Sequence, residues 1–257
     1  MNAAGSSAQT QVQARVALIT GGSKGFDLEL AVDLVEDGWS VVFDGRDRSA
    51  LDTAVRRLQT ASAAGAGAIR GIAGDVADPQ HRAALVAAVS DLGRLDLLVN
   101  NASVLGPSPQ PNLEAYPLTE FEHVLAVNVI APLALIQAML PLLKTSHGTV
   151  VDITSDAAVE GYAGWGGYGS SKAALEQISN VLAVEEPDLH VYWFDPGDMR
   201  TEMHQAAFPG EDISDRPLPE AVVPALRRLL LMAPASGRYR AGELLEELLK
   251  EASVVAQ

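Results

Sequence analysis

A doubly wound, three-layer α/β/α domain around a parallel sheet is the fold this sequence predicts. Three observations predict it. Short β-rich runs alternate with helix-like segments along most of the chain. The runs are apolar nearly throughout, as strands covered on both faces must be. Residues suited to chemistry recur at the ends of successive runs, where open α/β sheets place their ligands.

The elements follow in order. RVALIT (15–20) is a β-rich run, followed by an amphipathic stretch from about Phe26 to Asp37. SVVFD (40–44) is a second strand, with the helix-like RSALDTAVRRLQTAS after it. AIRGIAGDV (68–76) and PQHRAALVAAVSDL form the third pair. LDLLVN (95–100) is a fourth strand, leading to a long helical region that ends near Lys144. GTVVDITS (148–155) is a fifth, followed by a glycine-rich loop and the helical YGSSKAALEQISNVLAVEE. LHVYWFD (189–195) is a sixth, and SGRYRAGELLEELLKEAS reads as a short extended piece and an amphipathic helix. Right-handed crossovers turn this βαβα rhythm into a Rossmann-like sheet. Segments 103–117 and 203–219, rich in Pro, Gly and acidic residues, read as surface loops. No repeat or linker divides the chain, so 14–257 reads as one domain behind a mobile tail, 1–13.

Composition narrows the partners. The 257 residues suffice for a buried core. A formal net charge of −15 repels phosphate backbones and anionic lipid, so neither nucleic acid nor a membrane surface is an expected partner. The chain has no cysteine, which removes disulfides and thiol chemistry and fits the cytoplasm. The start shows no basic and apolar regions of a signal peptide. The longest apolar stretch, His123 to Leu143, is broken by Asn128, Pro132, Gln137 and Pro141 and reads as a buried interface helix.

Five strand ends carry candidate residues: Thr20 to Gly25, Asp75, Asn100 to Ala102, Ser155, and Pro196-Gly197. Tyr168 and Lys172, four apart, share a helix face. An ammonium there favours the phenolate and is expected to lower the tyrosine pKa toward working pH, as general acid/base chemistry requires. Ser155 is placed to donate a hydrogen bond to a carbonyl oxygen as charge develops on it. The histidines show no metal-ligand spacing, and no metal is expected.

Taken together, TGGSKG at 20–25, GDV at 74–76, NNAS at 100–103, Asn128, Ser155, and Tyr168 with Lys172 resemble a classical short-chain dehydrogenase/reductase over nearly all of residues 14 to 240. The resemblance implies an NADP(H)-dependent oxidoreductase, most simply a ketoreductase. It places Gly21, Ser23, Lys24 and Gly25 on the cofactor pyrophosphate, and Arg46 with Lys24 near a 2′-phosphate. It places Asp75 beside the adenine, with Val76, Asn101, Pro196, Gly197 and Thr201 also on the cofactor, Thr201 at the nicotinamide carboxamide. It makes Asn128 anchor a water relaying protons toward Lys172, and 199–219 a substrate lid offering Met199, Met203, Phe208 and Ile213. Trp165 and Tyr162 would line the pocket mouth, and the helices around 120–144 and 166–184 would build a homodimer or homotetramer. Thr201 also reads as a helix cap, Arg46 as a surface charge, and the bulky Trp193 and Phe194 as core.

One departure leaves two readings open. Asp27 stands where the family's loop has its last glycine. An ionised carboxylate about 4 Å from a phosphate charge, at an effective dielectric of about 20, repels it by about 4 kcal/mol, and Glu29 adds negative charge nearby. The chain either binds NADP(H) despite Asp27 or binds no nucleotide and runs acid/base chemistry without hydride transfer, as a dehydratase, cyclase, isomerase or ketal-forming enzyme.

Overall fold

The structure, a computed structural model, describes residues 14–62 and 67–255. The expected tail at 1–13 lies outside the described residues. Seven strands form one parallel sheet: β1 (Val16–Ile19), β2 (Ser40–Gly45), β3 (Ile69–Ala73), β4 (Leu97–Asn100), β5 (Thr149–Ile153), β6 (His190–Asp195) and β7 (Gly237–Arg240). Their spatial order is β3-β2-β1-β4-β5-β6-β7. Strand order reverses between β1 and β4, paired through Ala17↔Leu97 to Ile19↔Val99, so the crevice above their carboxyl ends is the natural ligand site.

Strand side chains alternate between two cores. Ala17 and Ile19 of β1 enter one face with Phe43, Leu30 and Leu34, while Val16 and Leu18 enter the other with Leu85, Leu98, Met139 and Leu182. The first core is covered by α1 (Gly25–Glu36) and α2 (Arg48–Ala61), with helical residues near the end of the chain, among them Leu226 and Leu244, and the second by α3 (Pro79–Ser90) with residues such as Met139 and Leu182 from helices further along. Helix starts are set locally: Asp47 accepts from the amides of Ser49 and Ala50, and Asp78, before Pro79, accepts from Gln80.

The long apolar region is not one regular helix. It comprises α4 (Leu118–Leu125), a π-helical turn at Ala126–Ile130 and α5 (Ala131–Ser146). Pro132 has no amide to offer the carbonyl four residues back, that of Asn128. The Asn128 side chain is pulled sideways to Val104 and Ser171, and the turn widens there. The run Leu118–Ser146 is long and apolar enough to cross a membrane by length and composition, an 18-residue window within it having a mean hydropathy of 2.0. Here it packs against α3 and against α6 (Gly166–Glu185).

Two helices differ from expectation. The segment read as a loop from 203 begins inside α7 (Glu202–Ala207), capped by Thr201 Oγ1 accepting from His204 N at 3.1 Å. An unexpected α8 (Val223–Met232) follows, and α9 (Ala241–Val255) ends the described chain. Leu226 and Leu229 of α8 are buried in the first core, and Arg227 pairs with Asp33 on α1 and with Asp37 just after it.

Candidate active site

The loops after β1 and β4 are tied together by one hydroxyl. Thr20 Oγ1 accepts from the amides of Asn101 and Ala102, each at 3.1 Å. Gly21 follows with φ +77°, and a Cβ there would lie 3.1 Å from Ala102 Cα, so both backbone conformation and space demand glycine. The Gly21 amide donates to Asp44 Oδ1 at 2.7 Å, and Asp44 Oδ2 lies 2.8 Å from His81 Nε2. Asp44 is thus a buried brace for the loop.

Asp27 needs no glycine-only backbone: its φ is not positive, unlike those of Gly21 and Gly25. Its side chain is buried, and Oδ1 has no hydrogen-bond partner. Burial pushes its pKa well above the usual carboxylate range, against the pull of its own amide and of Lys172. This shift favours the neutral acid more than in an exposed carboxyl, which works against the repulsion expected of an ionised Asp27. Glu29 adds no free charge, because Arg57 clasps both its oxygens, at 2.7 and 2.6 Å.

A cavity of about 770 Å³ opens over this loop and runs between the ends of the central strands. Of the expected cofactor residues, Gly21, Ser23, Lys24, Gly25, Arg46, Asp75, Val76, Asn101, Pro196, Gly197 and Thr201 all line it. Arg46 is exposed and makes no ion pair among the described residues, whereas Lys24 is engaged by Glu202 at 3.0 Å. Asp75 accepts from Ala77 N at 2.8 Å, a turn contact, and Thr201 both caps α7 and faces the cavity. A glycine cradle, a free guanidinium and this volume fit a dinucleotide.

Ser155, Tyr168 and Lys172 line the same cavity. The tyrosine pKa is shifted opposite to the helical-spacing expectation. Tyr168 is buried, and that burial raises its pKa. Asp195 and Asp156 raise it further, and the hydroxyls of Ser103 and Ser155 draw it back. The ammonium does not offset this, because Lys172 Nζ lies 5.5 Å from the ring centroid and donates to the Ile153 carbonyl at 2.8 Å. Burial lowers the lysine pKa to about 8, against the attraction of Asp152 and Asp27. Burial accordingly holds Tyr168 as the neutral phenol.

Ser155, two residues past β5, caps the short helical turn Asp156–Ala158: its Oγ accepts from Ala157 N at 3.2 Å and donates to Asp156 Oδ1 at 2.9 Å. To reach a substrate oxygen, its proton must leave Asp156. Asn128 does not line the cavity; Oδ1 accepts from Val104 N, and Nδ2 donates to the Val104 carbonyl and Ser171 Oγ. Its side-chain donors are committed to these partners and none reaches Lys172.

Trp165, Met199 and Met203 line the cavity; Tyr162, Phe208 and Ile213 do not. Phe208 packs on Trp165 at 5.8 Å. Tyr162 OH lies within hydrogen-bond range of Asp156 and Glu160. Phe194 is core, stacked on Phe26 at 6.1 Å. Sequence reasoning missed three residues here. Ser103 lines the cavity close enough to act on the phenol, yet its buried Oγ makes no hydrogen bond of normal geometry. Its signal was the serine ending NNAS. Asp195 and Arg238, paired at 3.0 Å, left no local signal. Among the described residues, no three His, Asp or Glu side chains cluster as metal ligands.

Comparison with known proteins agrees with this geometry. The chain is 37% identical over 188 residues to the 3-oxoacyl-(acyl-carrier-protein) reductase of rhamnolipid biosynthesis from Pseudomonas aeruginosa, covering 69% of each. It is 31% identical over 252 residues to the (S)-benzoin-forming benzil reductase of Saccharomyces cerevisiae, covering 95% of this chain and 89% of that one. A short chain dehydrogenase from Shigella flexneri, solved with NADP, superposes with a TM-score of 0.80 at 29% identity, over 89% of this chain and 97% of its own. The short chain dehydrogenase profile matches residues 15–212, and with these relatives it shows that the chain belongs to the short-chain dehydrogenase/reductase family.

Proposed function

We propose that this chain is an NADP(H)-dependent ketoreductase of the cytoplasm, acting on a bulky, partly apolar carbonyl compound. The observation that carries this reading is the convergence of Tyr168, Ser155 and Lys172 with the glycine loop and the unpaired Arg46 on one cavity. When bound, NADP(H) supplies or accepts the hydride. Tyr168 gives its phenolic proton to the carbonyl oxygen in reduction and takes it back in oxidation. Ser155, turned from Asp156, donates to the same oxygen as negative charge grows there. Lys172, with a pKa of about 8, stays largely charged at neutral pH; to steady the developing phenolate its ammonium must turn from the Ile153 carbonyl. Arg46, exposed at the cavity, would hold the 2′-phosphate. Trp165, Met199 and Met203 offer an apolar wall to the substrate, and segment 199–219 acts as the lid over it.

The relation to a benzil reductase makes benzil the first substrate probe. NADPH titrated by fluorescence should bind saturably, and NADPH oxidation with benzil and related ketones should fall by at least about 10²-fold in Tyr168→Phe. No saturable binding up to millimolar NADPH would remove the cofactor from this reading; a fully active Tyr168→Phe would remove the proton donor. The exposed Leu118, Ile130, Leu133, Val181 and Val184 on α4 to α6 favour a homodimer or homotetramer. A monomeric mass by light scattering would overturn that assembly.

A further inference from the structure

We propose that Arg238, on the edge strand β7, is a positioning residue that holds Ser155 and the Pro196-Gly197 turn in register with the helix carrying Tyr168. The inference rests on the acid/base reading of Tyr168 given above. Arg238 reaches three elements at once. Its Nη2 donates to the Ser155 carbonyl at 3.1 Å and to Asp195 Oδ2 at 3.0 Å. Its Nε donates to Glu176 Oε1 at 2.9 Å, which also accepts from Thr154 Oγ1 at 2.7 Å. Glu176 lies on α6, the helix of Tyr168 and Lys172. Asp195 Oδ1 in turn accepts from Gly197 N at 3.0 Å. One guanidinium thus fixes the backbone of the serine, the tyrosine helix and the turn after β6, three acceptors that only its planar fork can span.

The same contact has an electrostatic side. Asp195 is buried and lines the cavity. Four groups bear on the phenol: Asp195 and Asp156 disfavour its ionisation, and Ser103 and Ser155 favour it. Lys172, on the phenol's own helix, faces the ring. Arg238 neutralises the Asp195 charge, with Arg240, at 3.8 Å, the one other cation in support among the described residues.

Four variants test this: Arg238→Gln, Arg238→Lys, Asp195→Asn and the double variant Arg238→Gln/Asp195→Asn. Hydrogen exchange, which needs no substrate, should show faster exchange in Arg238→Gln at 153–158 and 195–198 while the rest of the sheet stays protected. Unchanged exchange in both segments overturns the proposal. In ketone reduction, Arg238→Gln should lower kcat by up to about 10²-fold, the scale of a displaced catalytic group. Its alkaline limb should move to higher pH, because an unshielded Asp195 disfavours the phenolate. Asp195→Asn alone should move that limb down, and the double variant should return it to or below the wild-type position with kcat still depressed. Arg238→Lys keeps the charge but not the fork, so it should lose kcat without moving the limb. A kcat loss in Arg238→Gln with an unmoved limb would reduce Arg238 to a structural residue. Should Arg238→Gln fail to fold, Asp195→Asn decides: an unmoved limb overturns the electrostatic link. Tyr168→Phe separates the two levels, since full turnover there removes the acid/base reading whatever Arg238 does.

Discussion

Replacing Asp152 with asparagine should stabilise this protein by an amount that grows with pH. Asp152 is fully buried on β5. It accepts from Asn100 Nδ2 at 2.8 Å and Ser179 Oγ at 2.7 Å, and Lys172 attracts it. Burial outweighs all three and raises its pKa from 3.8 to about 6. The native state therefore holds this proton more tightly than the unfolded chain. Its contribution is fully present below about 3.8 and is lost as pH rises through about 6. A displacement of about two units amounts to ~3 kcal/mol at pH 7. An amide fits the same contacts. Its oxygen accepts from Asn100, and its NH₂ donates to Ser179 Oγ, whose own proton has the Leu175 carbonyl at 2.9 Å. The gain approaches ~3 kcal/mol above neutrality, less the attraction that Lys172 loses. Each kcal/mol corresponds to about 2–4 °C in Tm. Urea unfolding of wild type and Asp152→Asn at pH 5 and 7.5 reads it directly, and the gap should widen by roughly 1 kcal/mol. An equal gap at both pH values, or a variant less stable at pH 7.5, would refute burial as the dominant force on this carboxyl.

Three further outcomes follow from the same geometry. The lowered pKa of Lys172, about 8 against 10.5, costs the native state stability below about 8 that returns as pH rises toward 10.5; the rise, ~3 kcal/mol by urea unfolding, should be absent in Lys172→Met. Asp27→Gly should tighten NADPH binding by well under the roughly three decades that an ionised carboxylate beside a phosphate would cost, because burial raises the Asp27 pKa and favours its neutral form; a fluorescence titration showing the full three-decade gain would contradict that. Gly21→Ala, with φ at +77° and Ala102 Cα 3.1 Å from the new methyl, should lower stability by about 1–3 kcal/mol in thermal unfolding.

Sheet, strand ends and cavity lining were legible because each rests on local pattern. Apolar runs name the strands, and the switch between β1 and β4 gathers what stands at their ends. What stayed hidden is long-range or depends on burial. Spacing put Lys172 on the face of Tyr168, but no spacing reports that the lysine points at the Ile153 carbonyl or that the phenol is desolvated. Asp44 reads in sequence as no more than the end of a strand; its partners, Gly21 and His81, lie 23 and 37 residues away. Arg238 and Asp195 are 43 apart and read separately as ordinary charges. The helix α8 was overlooked because its short apolar face follows a proline-rich stretch.

The bracing of Gly21 by Asp44 has a consequence for how a ligand is received. With that amide already satisfied inside the protein and Thr20 pinning the neighbouring turn, the nucleotide-facing loop is a rigid template before anything arrives. Recognition then has little chain entropy to quench at this end of the crevice, and loop coordinates with and without a dinucleotide should superimpose.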